Sequence, residues 1–203
     1  MSTGEKHPGG RRFRLAWLVL CVLACAAGPP AAAGEPADFN VPRSIRIEPE
    51  GRTLQLVGAH VRTSFLRSIT LFALYAGEPA ASFEALLASR APKCVTVTVL
   101  RPEFTAERFR IGWREQFAAA LSESELKSLA PEIEQFVGAF ETLRRGEQIA
   151  FEFVPGEGVR IRIKGALRRA IPNDAFAAAL LGVWIGPRGV DPDLRRGLLG
   201  ARD

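Results

Sequence analysis

Beyond residue 33 the sequence has one cysteine, Cys94, and one histidine, His60. A lone cysteine permits no intramolecular disulfide, so the core must hold the fold by itself. A lone histidine leaves a metal site dependent on carboxylates at ligand spacing, and none stands so placed. No serine pairs with it persuasively enough for a catalytic triad. Gly-rich phosphate loops, Gly-x-Ser-x-Gly, Cys-x-x-Cys and His-Glu-x-x-His are missing. These absences argue against nucleotide-binding, hydrolase and metalloenzyme classes, and the expected protein uses neither cofactor nor metal. There is no internal repeat, and past the N-terminal segment no apolar run reaches transmembrane length.

What is present is ordinary globular composition: 203 residues, 47% apolar and 24% charged, with a formal charge of +5. A disordered or collagen-like chain is excluded. Part of the basicity lies at the N-terminus, where Arg11, Arg12 and Arg14 precede an apolar run from Leu15 to Ala24 and small residues ending in Ala31-Ala32-Ala33. This is the layout of a secretory signal, with cleavage expected after Ala33 and a periplasmic or secreted destination. Two variants are a lipid anchor on Cys25, after Val22-Leu23-Ala24, and a twin-arginine signal at Arg11-Arg12. Without residues 1–33 the chain keeps 23 cations and 21 anions, a net charge of +2. So small a charge makes no field for a polyanion, and nucleic acid is not an expected partner.

Residues 34–44 read as a flexible lead-in and residues 45–203 as one domain. Leu54, Leu56 and Val57 precede Gly58, and a second apolar run from Phe65 to Tyr75 suits a strand covered on both faces. Gly77-Glu78-Pro79 ends it, and Ser82 caps a short helix with Phe83, Leu86 and Leu87 on one side. Val95, Val97 and Val99 alternate with Thr96 and Thr98, a strand signal. Phe109, Trp113, Phe117 and Leu121 recur every four residues, a helical stripe more often core than ligand box. Ser122 and Glu125 form a capping box, and Pro131 starts a further helix whose apolar spacing runs through Phe140 toward Gly146, with Arg144 and Arg145 at its C-terminus.

Ile149, Phe151 and Phe153 alternate toward the turn Pro155-Gly156-Glu157-Gly158. Val159, Ile161 and Ile163 follow, interleaved with Arg160, Arg162 and Lys164. That cationic row reads as a solvated sheet face with Glu152 as cross-strand partner. Leu167 to Ile171 forms a last strand. Asn173 caps a helix carrying Phe176, Leu180 and Trp184, and Asp191-Pro192 opens a C-terminal helix. Segregated strands and helices argue for α+β, an antiparallel sheet backed by helices. Cys94 reads as a small buried hydrophobe.

The stretch from Gly58 to Phe65 carries the candidate chemistry. Arg62 within a strand-like apolar segment is costly to bury without an anion, and its planar fork suits a carboxylate or enolate. It is either an anion receptor at the mouth of an apolar pocket or one half of an internal ion pair. His60, two residues earlier on the same strand face, reads as an ordinary half-buried histidine, with site tuning or haem ligation as the sharper alternative.

Four segments together, Gly58-Ala59-His60-Val61-Arg62, Ile69 to Tyr75, Ala106-Glu107-Arg108 to Phe117, and Ile185 to Pro192, resemble the chalcone isomerase-like family over roughly residues 52–200. The match looks closest to the family's exported bacterial branch. The resemblance implies an open-faced β-sandwich, with a large antiparallel sheet, a helical layer and a cleft between them. The family includes plant chalcone isomerases, plastid fatty-acid-binding proteins and non-catalytic members. Arg62 matches the arginine that holds phenolate and enolate in the isomerases, and Thr70 the threonine that helps polarise the carbonyl. The isomerase tyrosine is replaced by Thr105, the lysine by Arg108 and the asparagine by Gly112, while the usual glycine before Val-Arg is His60. Losing the phenol removes a donor aimed at the developing enolate.

The resulting expectation is an exported, non-catalytic, monomeric binder of a hydrophobic, fatty-acid-like carboxylic acid. Arg62 would hold the carboxylate with help from Thr70, Thr105 and Arg108, and Phe109 and Trp113 would wall the cleft. An isomerase or intramolecular lyase acting on a chalcone-like phenolic enone is the alternative, and an envelope scaffold with an empty cleft is a third.

Overall fold

The computed structural model describes residues 39–48, 51–64, 67–78 and 82–200. The expected signal segment, with Cys25 and the Ala33 cleavage position, lies outside these residues. Chain order runs β1 (Ser44–Ile47), β2 (Arg52–Ser64), β3 (Arg67–Ala76), α1 (Phe83–Ala88), β4 (Lys93–Val99), β5 (Glu103–Phe104) and α2 (Ala106–Ala120). It continues α3 (Glu123–Ser128), α4 (Ala130–Val137), β6 (Leu143–Arg144), β7 (Gln148–Val154), β8 (Gly158–Ile163), β9 (Ala166–Ile171), α5 (Asp174–Ile185) and α6 (Pro192–Leu198). Seven strands form one sheet in the order β1-β2-β3-β4-β7-β8-β9, every neighbour antiparallel, and β5 and β6 make a separate two-stranded ribbon. The α+β architecture expected from the segregated elements is the one observed.

Period-two alternation sorts each strand into two faces. One face sends Phe72, Leu74, Val95, Val97, Phe151 and Ile161 into the main core beneath the helices. The other sends Leu54, Ala73, Tyr75 and Cys94, together with Ile47, into a smaller cluster that Ile45 and Val41 pack against. Two covered faces explain why β3 is apolar on both parities. Between sheet and helices, Trp113 meets Phe136 edge-on at 4.8 Å, Trp184 at 5.5 Å and Phe151 at 5.8 Å. Pairs of this kind contribute about 0.5–1.5 kcal/mol each beyond area burial.

The helix signals hold in their chemistry. Ser82, Thr105, Ser122, Asn173 and Asp191 all accept from first-turn amides, and Ser122 with Glu125 closes a full capping box. Pro131 stands in the first turn of α4, separating it from α3.

Three readings need correction, and one glycine needs explaining: β2 runs through Gly58, with a bulge between Leu56 and Gly58. A Cβ at Gly58 would come within 2.2 Å of the Gly197 carbonyl oxygen, so the glycine permits close approach of α6. The helix before Gly146 stops at Val137, because Phe140 keeps the apolar spacing by packing into the same core without being helical. Arg144 then belongs to β6, and Gly146 is a turn residue at φ +85°. Leu87 is exposed, leaving Leu86 as the buried leucine of α1. The Arg160 and Glu152 side chains are not solvated: at 9% and 3% exposure they lie buried on the outer sheet face. Glu152 Oε1 accepts from Arg162 Nε at 2.9 Å and Oε2 lies 3.2 Å from Arg160 Nε, so the cross-strand pairing itself is as expected.

Candidate ligand-binding cleft

The cleft begins with the register of β2 on β3. His60 pairs with Phe72 and Arg62 with Thr70, and directly opposed residues share a sheet face. Phe72 belongs to the helix-side core, so all four point toward the helices. A register shift follows between Arg62 and Thr63, at the open end of the sheet. Bulges of this kind re-aim side chains. His60 and Arg62 then diverge in use. His60 lies under α6, where a Cβ at Gly197 would stand 2.8 Å from its own Cβ. Arg62 lines a cavity of about 290 Å³.

The cavity lies between the sheet and α2. Sheet residues Thr70, Phe72, Val97, Ile149 and Phe151 line one side, α2 residues Arg108, Phe109, Gly112, Trp113 and Gln116 the other, with Trp184 of α5 completing the wall. Its volume is near the lower end of the roughly 300–1,000 Å³ typical of small-molecule pockets. Helical spacing explains the α2 wall, since positions 109, 112, 113 and 116 share a face. Gly112 is notable, because a Cβ built there would meet nothing within 4 Å.

The charged residues of the lining are both cations, Arg62 and Arg108. Arg62 Nε approaches Asp191 Oδ2 at 3.6 Å, with the two side chains 40% and 22% exposed. That distance is too long for a hydrogen bond. Asp191 has its other oxygen occupied, since Oδ1 accepts from the amides of Asp193 at 3.1 Å and Leu194 at 3.0 Å. A loose, partly exposed pair of this kind contributes about 0–1 kcal/mol. It therefore leaves most of the guanidinium's hydrogen-bonding capacity uncommitted. Trp184 adds a second polar handle: its indole Nε1 is buried and has no acceptor among the described residues. Leaving a buried donor unpaired costs about 1–3 kcal/mol.

Of the expected site residues, Arg62, Thr70, Arg108, Phe109 and Trp113 are brought together around the cavity. Phe109 and Trp113 are core residues as well, with Phe109 stacked on Phe140 at 5.2 Å. Thr105 does not line it. Its Oγ1 turns back to accept the Arg108 amide at 3.3 Å as the cap of α2, which accounts for a threonine at that place. Phe72, Ile149, Phe151 and Trp184 line the cavity without having been singled out from sequence. Their strand alternation and helical spacing placed them inward, but an inward residue gives no sign of whether it meets another side chain or open space. Among the described residues no cluster of His, Cys, Asp and Glu could hold a metal ion, and no helix is long and apolar enough to cross a membrane.

Comparison with known proteins adds three findings. A family model described as chalcone isomerase-like matches residues 33–200. No curated protein matches the chain in sequence. Among solved structures, a fatty-acid binding protein from Arabidopsis thaliana superposes with a TM-score of 0.58 at 15% sequence identity, covering 77% of this chain and 96% of that one. At that identity the likeness concerns the fold.

Proposed function

This chain belongs to the chalcone isomerase-like family, and from that premise we propose that it is a non-catalytic binder of an amphipathic carboxylic acid. The observation that carries this reading is a cavity whose charged lining is wholly cationic and whose remaining wall is largely apolar and aromatic. A carboxylate would lie at Arg62, with Arg108 at the mouth and the Thr70 hydroxyl beside it, and a hydrocarbon chain would run between Phe72, Phe109 and Trp113. The Trp184 indole N–H could serve an acceptor inside the wall. A charge-assisted hydrogen bond to a carboxylate contributes roughly 1.5–3 kcal/mol, and the apolar chain about 0.8 kcal/mol for each methylene buried. A fatty acid fits this division of polar head and apolar tail. The Arabidopsis protein with the same fold is itself a fatty-acid binding protein. Export to the periplasm or beyond forms part of the proposal and rests on the N-terminal sequence.

The absence of a phenol from the cleft favours binding over isomerisation. Thr105 holds the matching position and caps α2. The chain's one tyrosine, Tyr75, is buried in the cluster on the opposite sheet face. Burial there pushes its pKa up to about 12, with Cys94 adding to the rise.

Titration of the purified protein with decanoate and hexadecanoate, followed by the indole signals of Trp113 and Trp184, tests the proposal. Saturable perturbation of both signals is expected. Unchanged signals throughout the titration would remove the binding reading, and cyclisation of a chalcone above the buffer rate would replace it with the isomerase reading.

A further inference from the structure

A second cleft, of about 670 Å³, opens at the N-terminal end of α5, against α1 and the turn joining β7 to β8. It shares no lining residue with the Arg62 cavity. Its lining is mixed, with the apolar side chains of Leu86, Phe153, Pro155, Ala177 and Leu181 set beside the polar ones of Ser89, Arg90 and Asp174. Lys93, the first residue of β4, also lines it and is only 5% exposed. Lys93 faces the helices, because its strand partners Ala76 and Phe153 belong to the helix-side core.

An ammonium has three donors, and Lys93 Nζ gives one to the Ser89 carbonyl at 2.6 Å, the C-cap of α1. Among the described residues no carboxylate forms an ion pair with it. Glu78, the acid whose charge it feels, accepts from the Ser89 hydroxyl at 2.8 Å instead. Asp174, the acid of the cleft wall, accepts the amides of Gly156 and Gly158 at 3.1 Å. Arg90 adds a second cation to the lining. Helix capping explains one donor of Lys93. It explains neither the open cleft beside the ammonium nor the lack of a paired acid, which is the usual condition for burying a charge. Desolvation pushes the Lys93 pKa down, with Glu78 opposing, which is the signature of a buried cation short of anionic partners.

We propose that this cleft is a second ligand site, which takes an amphipathic monoanion. The anionic head meets Lys93, with Arg90 at the rim, and the apolar body lies along Phe153 and Leu181. The inference is independent of the Arg62 reading.

The test uses decanoate, with decanol as its neutral counterpart, on the parent protein and on Arg62→Ala. Lysine side-chain carbon–proton correlations separate Lys93 from the exposed Lys127 and Lys164. Decanoate is expected to move the Lys93 Cε signal saturably in both proteins and leave those of Lys127 and Lys164 in place. Decanol should bind about tenfold more weakly, the loss expected for one charge-assisted hydrogen bond. In calorimetry, Lys93→Met should lose one decanoate equivalent. A Lys93 signal that does not move, or that moves in the parent but not in Arg62→Ala, overturns the second site. So does a decanoate equivalent count unchanged by a folded Lys93→Met protein. If Lys93→Met does not fold, the signals of the parent and Arg62→Ala decide alone. Binding seen at Lys93 with no perturbation of Trp113 would support this site and overturn the Arg62 one.

Discussion

Gly112 offers a way to separate the cleft from the fold. A glycine within α2 is out of place on propensity alone, since glycine in a helix interior is less stable than alanine by roughly 0.5–1 kcal/mol. It lines the cavity, and a Cβ added to it would touch nothing within 4 Å. Gly112→Ala should therefore stabilise the protein by about that amount, raising Tm by about 1–4 °C in a chain of this size. It should leave decanoate affinity within about threefold, since one methyl intrudes little. Gly112→Leu keeps the helix-propensity gain but projects an isobutyl group into a space of about 290 Å³ between Arg62 and Trp113. It should bind decanoate at least about tenfold more weakly, as displacing even two methylenes of ligand from apolar contact forfeits roughly 1.6 kcal/mol. Thermal melts and tryptophan-signal titrations on the three proteins form the assay. Parent-like affinity in Gly112→Leu would refute the placement of the ligand against α2. Destabilisation of Gly112→Ala would refute the open space beside residue 112.

Three other perturbations test the surrounding physics. Glu152→Ala removes the carboxylate shared by two arginines on the outer face and should cost about 3–5 kcal/mol in denaturant unfolding, where a loss under 1 kcal/mol would contradict a structural ion cluster. Cys94, whose thiol pKa is raised first by burial and then by Glu152, should resist thiol reagents in the native state and react only as the protein unfolds. Glu125 is held down to about 2 by the Ser122 hydroxyl first, then the Ser122 amide and Arg188. Because its folded pKa is depressed, its stabilisation is complete above the ordinary carboxylate range and is lost as pH falls toward 2. Glu125→Gln should accordingly flatten the decline of stability across that window, and an unchanged slope would count against the capping box as an electrostatic device.

Much of the fold was legible because local rules and tertiary packing agree in this chain. The caps at Ser122, Asn173 and Asp191 pair a short acceptor with a nearby amide, which spacing alone displays. The valine–threonine alternation of β4 does the same for a strand. Legibility failed where one signal had two physical causes. Phe140 continued a helical spacing through core packing after the helix had ended. Gly58 interrupts an apolar run yet lies inside β2, where it serves the close approach of α6. The arginines of β8 looked solvated because alternation shows which residues share a face, not what covers it. The candidate site divided in the same way. Arg62 stood out as a cation in an apolar strand, while its loose partner Asp191 is 129 positions away and became visible only in space. Thr105 matched a family position, yet its hydroxyl is engaged by its own helix.

The central claim is that the Arg62 guanidinium recognises a carboxylate in the α2 cleft, and a thermodynamic cycle reads that contact directly. Decanoate and decanol are titrated against the parent and Arg62→Ala while the Trp113 and Trp184 indole signals are followed, so that binding elsewhere does not enter. The account predicts that the parent prefers the acid over the alcohol by roughly 10-fold or more, the equivalent of a charge-assisted hydrogen bond, and that Arg62→Ala loses this preference. An acid-to-alcohol ratio that is the same in both proteins would contradict it.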